Sequence, residues 1–263
     1  MDFYDILDKN RTDRKEFANY LNKVYNIGGD DMENNNNLYL KQIKTVLLDI
    51  DGTVMDFHAG QRKAFFATVA ETGEQADEDV YLTFDEVNKS YWKKFERGEI
   101  AKEVLIFERF RTLRELKGIP KDEYAFEKVY QRLLGEQCIY IDGAEKGVEY
   151  LSGKYKVYIV TNGVKHTQLN RIKKSGLSSF TDGVFISEEV GYQKPQKEFF
   201  DYVFAKTGAD RKTSVIIGDS PSSDIQGGIN AGIKTVRFNP SGIKEEPYAD
   251  AEVASWEELC KLL

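Results

Sequence analysis

"TVLLDIDGTVMDF", residues 45–57, sets four residues of strand-forming character directly before two aspartates, with a glycine after them. A short apolar run of this kind fits a strand buried on both faces, as in a parallel sheet covered by helices. Ending it on Asp49 and Asp51 brings two carboxylates close enough to repel, so the stretch predicts a cation beside them.

The same pattern recurs downstream. "YKVYIVT" (155–161), "GVFIS" (183–187), "TSVIIGD" (213–219) and "KTVRF" (234–238) are short, β-branched runs, each followed by polar or helical sequence. Strands alternating with helices predict βαβ units and an α/β fold, a doubly wound, Rossmann-like parallel sheet. The intervals are uneven. About a hundred residues separate the first strand from the second, where a βα connection normally takes a few. That interval is helical in pattern, with apolar residues at helical spacing in 59–73, 82–98, 101–118 and 121–135, each ending near a glycine. The expected division is a core at 43–57 and 143–263 with an inserted helical cap at 58–142.

Residues 1–42 read as a helix and linker. Phe17, Tyr20, Leu21 and Val24 form one helical stripe, Asp13 and Glu16 suit a capping box at its start, and "GGDDMENNNN" (28–37) is a polar linker. Two readings of that helix stand: docking on its own domain, or pairing with a second chain in a homodimer.

Composition narrows the function classes. The 263 residues are 41% hydrophobic and 31% charged, with a net charge of −7. No apolar run approaches a membrane span, and the N-terminal residues lack the basic start and apolar middle of a signal peptide. Cys138 and Cys260 match neither a disulfide framework nor a zinc pattern, which points to the cytoplasm. The acidic balance argues against nucleic acid and anionic membrane as partners, because both need a basic face. A small phosphorylated metabolite needs only one local cation.

In open α/β sheets ligands bind beyond the carboxyl ends of the strands. The residues there are Asp49 and Asp51, then Thr161 and Asn162, then Lys194 in "GYQKPQKEFF", then Asp219 and Asp224 in "GDSPSSD". Three acids can hold a hard divalent cation such as Mg²⁺. A hydroxyl, a lysine and exposed backbone N–H groups suit a phosphoryl group. A carboxylate at a strand tip can attack phosphorus, and a second one can move a proton to or from oxygen.

These four segments resemble the motifs of the haloacid dehalogenase-like (HAD) hydrolase superfamily: "DIDGT", "VTNG", "QKP" and "GDSPSSD". The resemblance covers about residues 43–263 and implies a sheet in the order 5-4-1-2-3, with strands one and four adjacent at the switch point. It implies that Asp49 is the nucleophile and a Mg²⁺ ligand. Asp51 would be the general acid/base, its carbonyl a metal ligand. Thr161 and the Asn162 backbone would bind phosphate, Lys194 would steady phosphate and nucleophile, and Asp219 would bind metal directly. Asp224 would meet the metal through water or orient Lys194.

Asp51 points to phosphatase or phosphomutase chemistry, since the dehalogenases of the superfamily lack this second aspartate. The insert resembles a class I cap. "VNKSYWKKFERGEI" (87–100), "FERF" (107–110), "ISEEVGYQKPQKEFFDY" (186–202) and "SDIQGGINAGI" (223–233) are similar to the pyrimidine 5′-nucleotidase branch. That implies hydrolysis of a nucleoside 5′-monophosphate. A phosphatase for phosphoglycolate or a sugar phosphate, a phosphomutase, and a non-catalytic phosphometabolite-binding protein are the alternatives. Trp92, Phe95, Phe107, Arg109 and Phe110 either line a base pocket or form the core of the cap.

Overall fold

In the computed structural model, residues 42–263 are described. The helix and linker expected within 1–42, including the stripe Phe17 to Val24, lie outside the described residues apart from Gln42. The described chain divides into two compact units. One takes residues up to Asp56 with Tyr140–Lys165 and Ile172–Leu263, and the other takes Phe57–Ile139 with His166–Arg171.

The first unit is built on a parallel sheet. Its strands are β1 (Thr45–Leu48), β2 (Lys156–Thr161), β3 (Gly183–Ile186), β4 (Ser214–Gly218), β5 (Lys234–Phe238) and β6 (Ala251–Val253), ordered β3-β2-β1-β4-β5-β6. The expected order 5-4-1-2-3 stands, extended by β6. That strand escaped the sequence reading because it has three residues, and only Val253 is buried. β1 lies between β2 and β4, with Leu48 level with both Ile159 and Ile217. All four of its residues are buried, and after Thr45 they are apolar up to Asp49.

Helices α5 (Ala144–Lys154), α7 (Lys197–Thr207), α8 (Gln226–Ala231) and α9 (Trp256–Leu262) belong to this unit, with the two ends of α6 (Lys165–Lys174). Phe199, Phe200 and Val203 of α7 pack on Leu47, Val160 and Ile216 from three neighbouring strands. Burying each such side chain contributes about 1.5–3 kcal/mol.

The second unit holds α1 (Phe57–Glu71), α2 (Glu78–Glu96), α3 (Lys102–Lys117) and α4 (Glu123–Leu134). Asp77 and Asp122 cap α2 and α4 by accepting from Val80 N–H and from Tyr124 and Ala125 N–H, and Gly118 ends α3 in the left-handed conformation. The core is aromatic: Phe84 stacks on Phe65 at 4.8 Å and on Phe110 at 5.2 Å between ring centroids. Phe95, Phe110 and Arg109 are buried here, so of the five candidate pocket residues these three are core. Trp92 and Phe107 are half-buried.

Arg109 sits inside this core as the centre of a polar chain. Its guanidinium donates to Glu127 Oε2 at 2.8 Å and to Asn88 Oδ1 at 2.7 Å. Asn88 Nδ2 donates to Gln61 Oε1 at 2.7 Å, and Gln61 Nε2 to Asp85 Oδ1 at 2.8 Å. Burial pushes the Glu127 carboxyl above its usual range, while Arg109 pulls it down. Arg109→Ala leaves that carboxylate buried without its partner and is expected to cost about 3–5 kcal/mol at neutral pH. A carboxyl raised in the folded state favours folding more as pH falls toward its unfolded value. Urea midpoints measured at neutral and mildly acidic pH should therefore show the deficit shrinking in acid.

Candidate active site

The sheet brings four chain segments to one edge. Asp49 follows β1, and its N–H donates to Ile217 O of β4 at 3.0 Å, so the nucleophile candidate is held against the neighbouring strand. Thr161 closes β2, and Asp219 follows β4 directly. Parallel strands in matched register put these ends level with one another.

Lys194, 1% exposed, is the hub. Its Nζ donates to Asp49 Oδ1 at 2.6 Å, Asp224 Oδ1 at 2.6 Å and Val160 O at 2.9 Å. All three ammonium hydrogens are therefore used. Burial lowers its pKa, but Asp224 and Asp49 outweigh that and hold it above the ordinary lysine range. The other oxygen of Asp224 accepts from Ser220 N–H at 3.1 Å. Both Asp224 oxygens thus have protein donors.

Ligand oxygens of Asp49, Asp219 and Asp224 lie within 4.8 Å of one another. Burial pushes the Asp49 carboxyl well up; Lys194 pulls it back, and Asp224, Asp219 and Asp51 push it up again. Burial together with Asp224 raises Asp219 to about 7. A concentration of carboxylates this costly fits a bound cation, and an oxygen-only donor set suits a hard divalent one. The surrounding backbone makes room for them. A Cβ on Gly52, whose φ is +84°, would stand 2.4 Å from Asp219 Oδ2, and one on Gly218 would stand 2.2 Å from the Asp224 carboxyl carbon.

Asp51 lies on the turn after β1. The turn is closed by Gly52 N–H donating to Met55 O at 2.9 Å, and by Val54 and Met55 N–H both donating to Ile50 O at 2.8 Å. Asp51 is half-buried, unlike Asp49. Thr161 is buried, and its Oγ1 accepts from Gly163 N–H at 3.0 Å.

All seven residues singled out in the sequence fall in this one unit, with Asp49, Asp219 and Asp224 clustered and Lys194 bonded to Asp49 and Asp224. Three supports escaped the sequence reading. The Asn162 side chain grips the Lys194 backbone at two points, donating to its carbonyl at 2.8 Å and accepting from its N–H at 2.9 Å. Thr53 Oγ1 donates to Asp219 Oδ1 at 3.3 Å. Arg237 Nε reaches the Asp219 carbonyl at 3.4 Å. Thr53 and Asn162 stand inside the motifs and were open to inspection; Arg237 carried no signal.

Similarity to known proteins agrees with this geometry. A family profile described as haloacid dehalogenase-like hydrolase matches residues 43–232. The HAD-hydrolase YfnB of Bacillus subtilis strain 168 is 35% identical over 227 residues, covering 85% of this chain and 97% of that protein. The pyrimidine 5′-nucleotidase PynA of Streptococcus pneumoniae R6 is 34% identical, covering 84% and 94%. The pyrimidine 5′-nucleotidase YjjG of Escherichia coli K12 is 32% identical, covering 83% and 96%. The crystal structure of YfnB, bound to magnesium, superposes with a TM-score of 0.78 and covers 82% of this chain and 96% of that one. Among the described residues no helix is long and apolar enough to cross a membrane. This chain belongs to the haloacid dehalogenase-like hydrolases.

Proposed function

We propose that the chain is a Mg²⁺-dependent 5′-nucleotidase that hydrolyses nucleoside 5′-monophosphates through an aspartyl-phosphate on Asp49. The observation that carries the chemistry is the buried Asp49–Lys194–Asp224 triad, with Asp219 beside it and Asp51 two residues past the nucleophile. The substrate class rests on the two pyrimidine 5′-nucleotidases at 32–34% identity.

Asp49 attacks phosphorus, and a phosphorus–oxygen bond forms as the ester bond to the leaving alcohol breaks. Asp51, in its acid form, gives its proton to the departing oxygen. It then takes a proton from water, whose oxygen attacks phosphorus and displaces Asp49 as a free carboxylate. Inorganic phosphate leaves. Lys194 keeps Asp49 oriented and offsets its charge. Of its two expected roles, Asp224 fits the orienting one better, since one of its oxygens faces Lys194 and the other Ser220. Thr161 and the Asn162 backbone bind the phosphoryl oxygens. Asp49, Asp219 and the Asp51 carbonyl would hold Mg²⁺, which neutralises charge on the transferring group. We take the helical unit as the cap that selects the substrate, with 58–142 as its extent and 43–57 with 143–263 as the core.

The test is phosphate release from dUMP, UMP, dTMP, phosphoglycolate and sugar phosphates, with Mg²⁺ or with EDTA. The pyrimidine nucleotides should lead in kcat/KM by about tenfold or more. EDTA should abolish turnover, and Asp219→Ala should blunt the response to added Mg²⁺. A sugar phosphate that outruns every nucleotide would refute the substrate assignment, and EDTA-resistant turnover the metal assignment.

A further inference from the structure

The last helix carries none of the four motifs, yet one of its residues reaches the catalytic turn. Trp256, the first residue of α9, is 1% exposed. Its indole N–H donates to the carbonyl of Thr53 at 2.8 Å, across 203 residues of sequence. Thr53 is itself buried, and its hydroxyl donates to Asp219 Oδ1. One residue thus joins the tryptophan to a carboxylate of the acidic cluster.

The indole is seated with close tolerance. A Cβ on Gly147 of α5 would stand 2.2 Å from Trp256 Cε3, and one on Gly143 would stand 3.3 Å from Trp256 Cβ. The ring of Phe238 packs beside it, 6.2 Å between centroids. The segment entering α5 is also tied to the turn, since Ile141 N–H donates to Val54 O at 3.0 Å. Trp256 therefore touches the chain that leaves the sheet after Asp51 and packs against Gly143 and Gly147, at the entry to α5 and inside it. A buried indole N–H needs an acceptor, and this one takes the Thr53 carbonyl. The residue whose carbonyl the N–H meets, Thr53, also donates its hydroxyl to Asp219.

We propose that Trp256 is a positioning residue for the reaction: it holds the Thr53 carbonyl and so sets where Asp51 and Asp219 stand. This rests on the phosphatase reading of the site. Its effect falls on the chemical step, because the reacting groups lose alignment while the groups proposed to bind phosphate, at Thr161 and Asn162, belong to another strand end.

Three proteins test it. Trp256→Phe removes the donor and keeps an aromatic ring. Replacing Trp256 by 3-benzothienylalanine keeps the bicyclic shape and puts sulfur where the N–H stood, which serves if the phenylalanine variant folds poorly. Phe238→Leu loosens the same packing and leaves the N–H bonded. With p-nitrophenyl phosphate, both Trp256 replacements should lower kcat by about tenfold with KM within about twofold of the parent. Amide hydrogen exchange should quicken across residues 50–55 and stay unchanged in β2. Phe238→Leu should lower Tm and keep its kcat. Parent-like kcat in the Trp256 replacements overturns the proposal, as does an equal kcat loss in Phe238→Leu. If the parent chain hydrolyses no phosphoester, the phosphatase reading fails instead. Exchange at 50–55 then decides alone, and unchanged exchange in the benzothienyl protein overturns the positioning role.

Discussion

Asp49→Asn is expected to fold as the parent does and to lose turnover by about a thousandfold or more. The amide has the size of the carboxylate, and its oxygen can still accept from Lys194 Nζ, which retains Asp224 and the Val160 carbonyl. What disappears is the proposed nucleophile, because a neutral amide oxygen does not displace an alcohol from phosphorus. Stability should move the other way. The Asp49 carboxyl is pushed up chiefly by burial, so its ionised form opposes folding when no cation is bound. A folded-state acid with a raised pKa costs stability as pH rises from the ordinary aspartate range through the raised value. The asparagine variant, measured in EDTA, should therefore melt at or above the parent at neutral pH and show a flatter dependence on pH. Steady-state turnover of p-nitrophenyl phosphate beside thermal melts checks both halves. Parent-like kcat would remove Asp49 from the nucleophile role, and a collapsed melt would mean that its charge supports the fold.

Lys194→Met should lower kcat by about a hundredfold to a thousandfold, the range found when one preorganised electrostatic group is lost. It should also destabilise the metal-free protein by about 3–5 kcal/mol, because a buried ion pair loses one partner. Methionine has nearly the same length but no donor. Asp49 and Asp224 would face each other with no ammonium between them, and the Val160 carbonyl would lose its Lys194 donor. The Asp49 carboxyl, already raised by burial, would lose the pull of Lys194 and rise further, so the deficit should shrink as pH falls toward the ordinary carboxylate range. Added Mg²⁺ should recover part of the stability and little of the rate. Lys194→Arg should not restore activity, since a planar guanidinium does not reproduce an ammonium that donates to Asp49, Asp224 and Val160 O from one nitrogen. Thermal melts with and without Mg²⁺, read against kcat, separate the two contributions. A methionine variant as active as the parent would reduce Lys194 to packing.

The legible part of the site was its list of members. β1 and β4 are buried on both faces, so after Thr45 and Ser214 they run apolar, and an aspartate at such an end stands out. Asp49, Asp219, Thr161 and Lys194 follow strands or their loops in order, which is what a parallel sheet needs to bring them together. The helical unit was legible as helices but not as a pattern of contacts. "FERF" reads equally as pocket or core, and only the packed structure places Arg109 and Phe110 inside, with Glu127 as the charge that makes a buried arginine tolerable. β6 was too short and too exposed to leave a period.

The sequence by itself determined the fold class, the strand ends and the chemistry of the residues on them. These properties are local: hydrophobic period, strand length and residue type are set within a few positions. Tertiary structure alone decided the partnerships. Lys194 meets Asp49 across 145 residues, Asn162 grips Lys194 across 32, and Trp256 holds Thr53 across 203. Nothing local favours one such pairing over another. Each is chosen by how helices and strands pack, and by the cost of leaving a buried donor or charge without its partner.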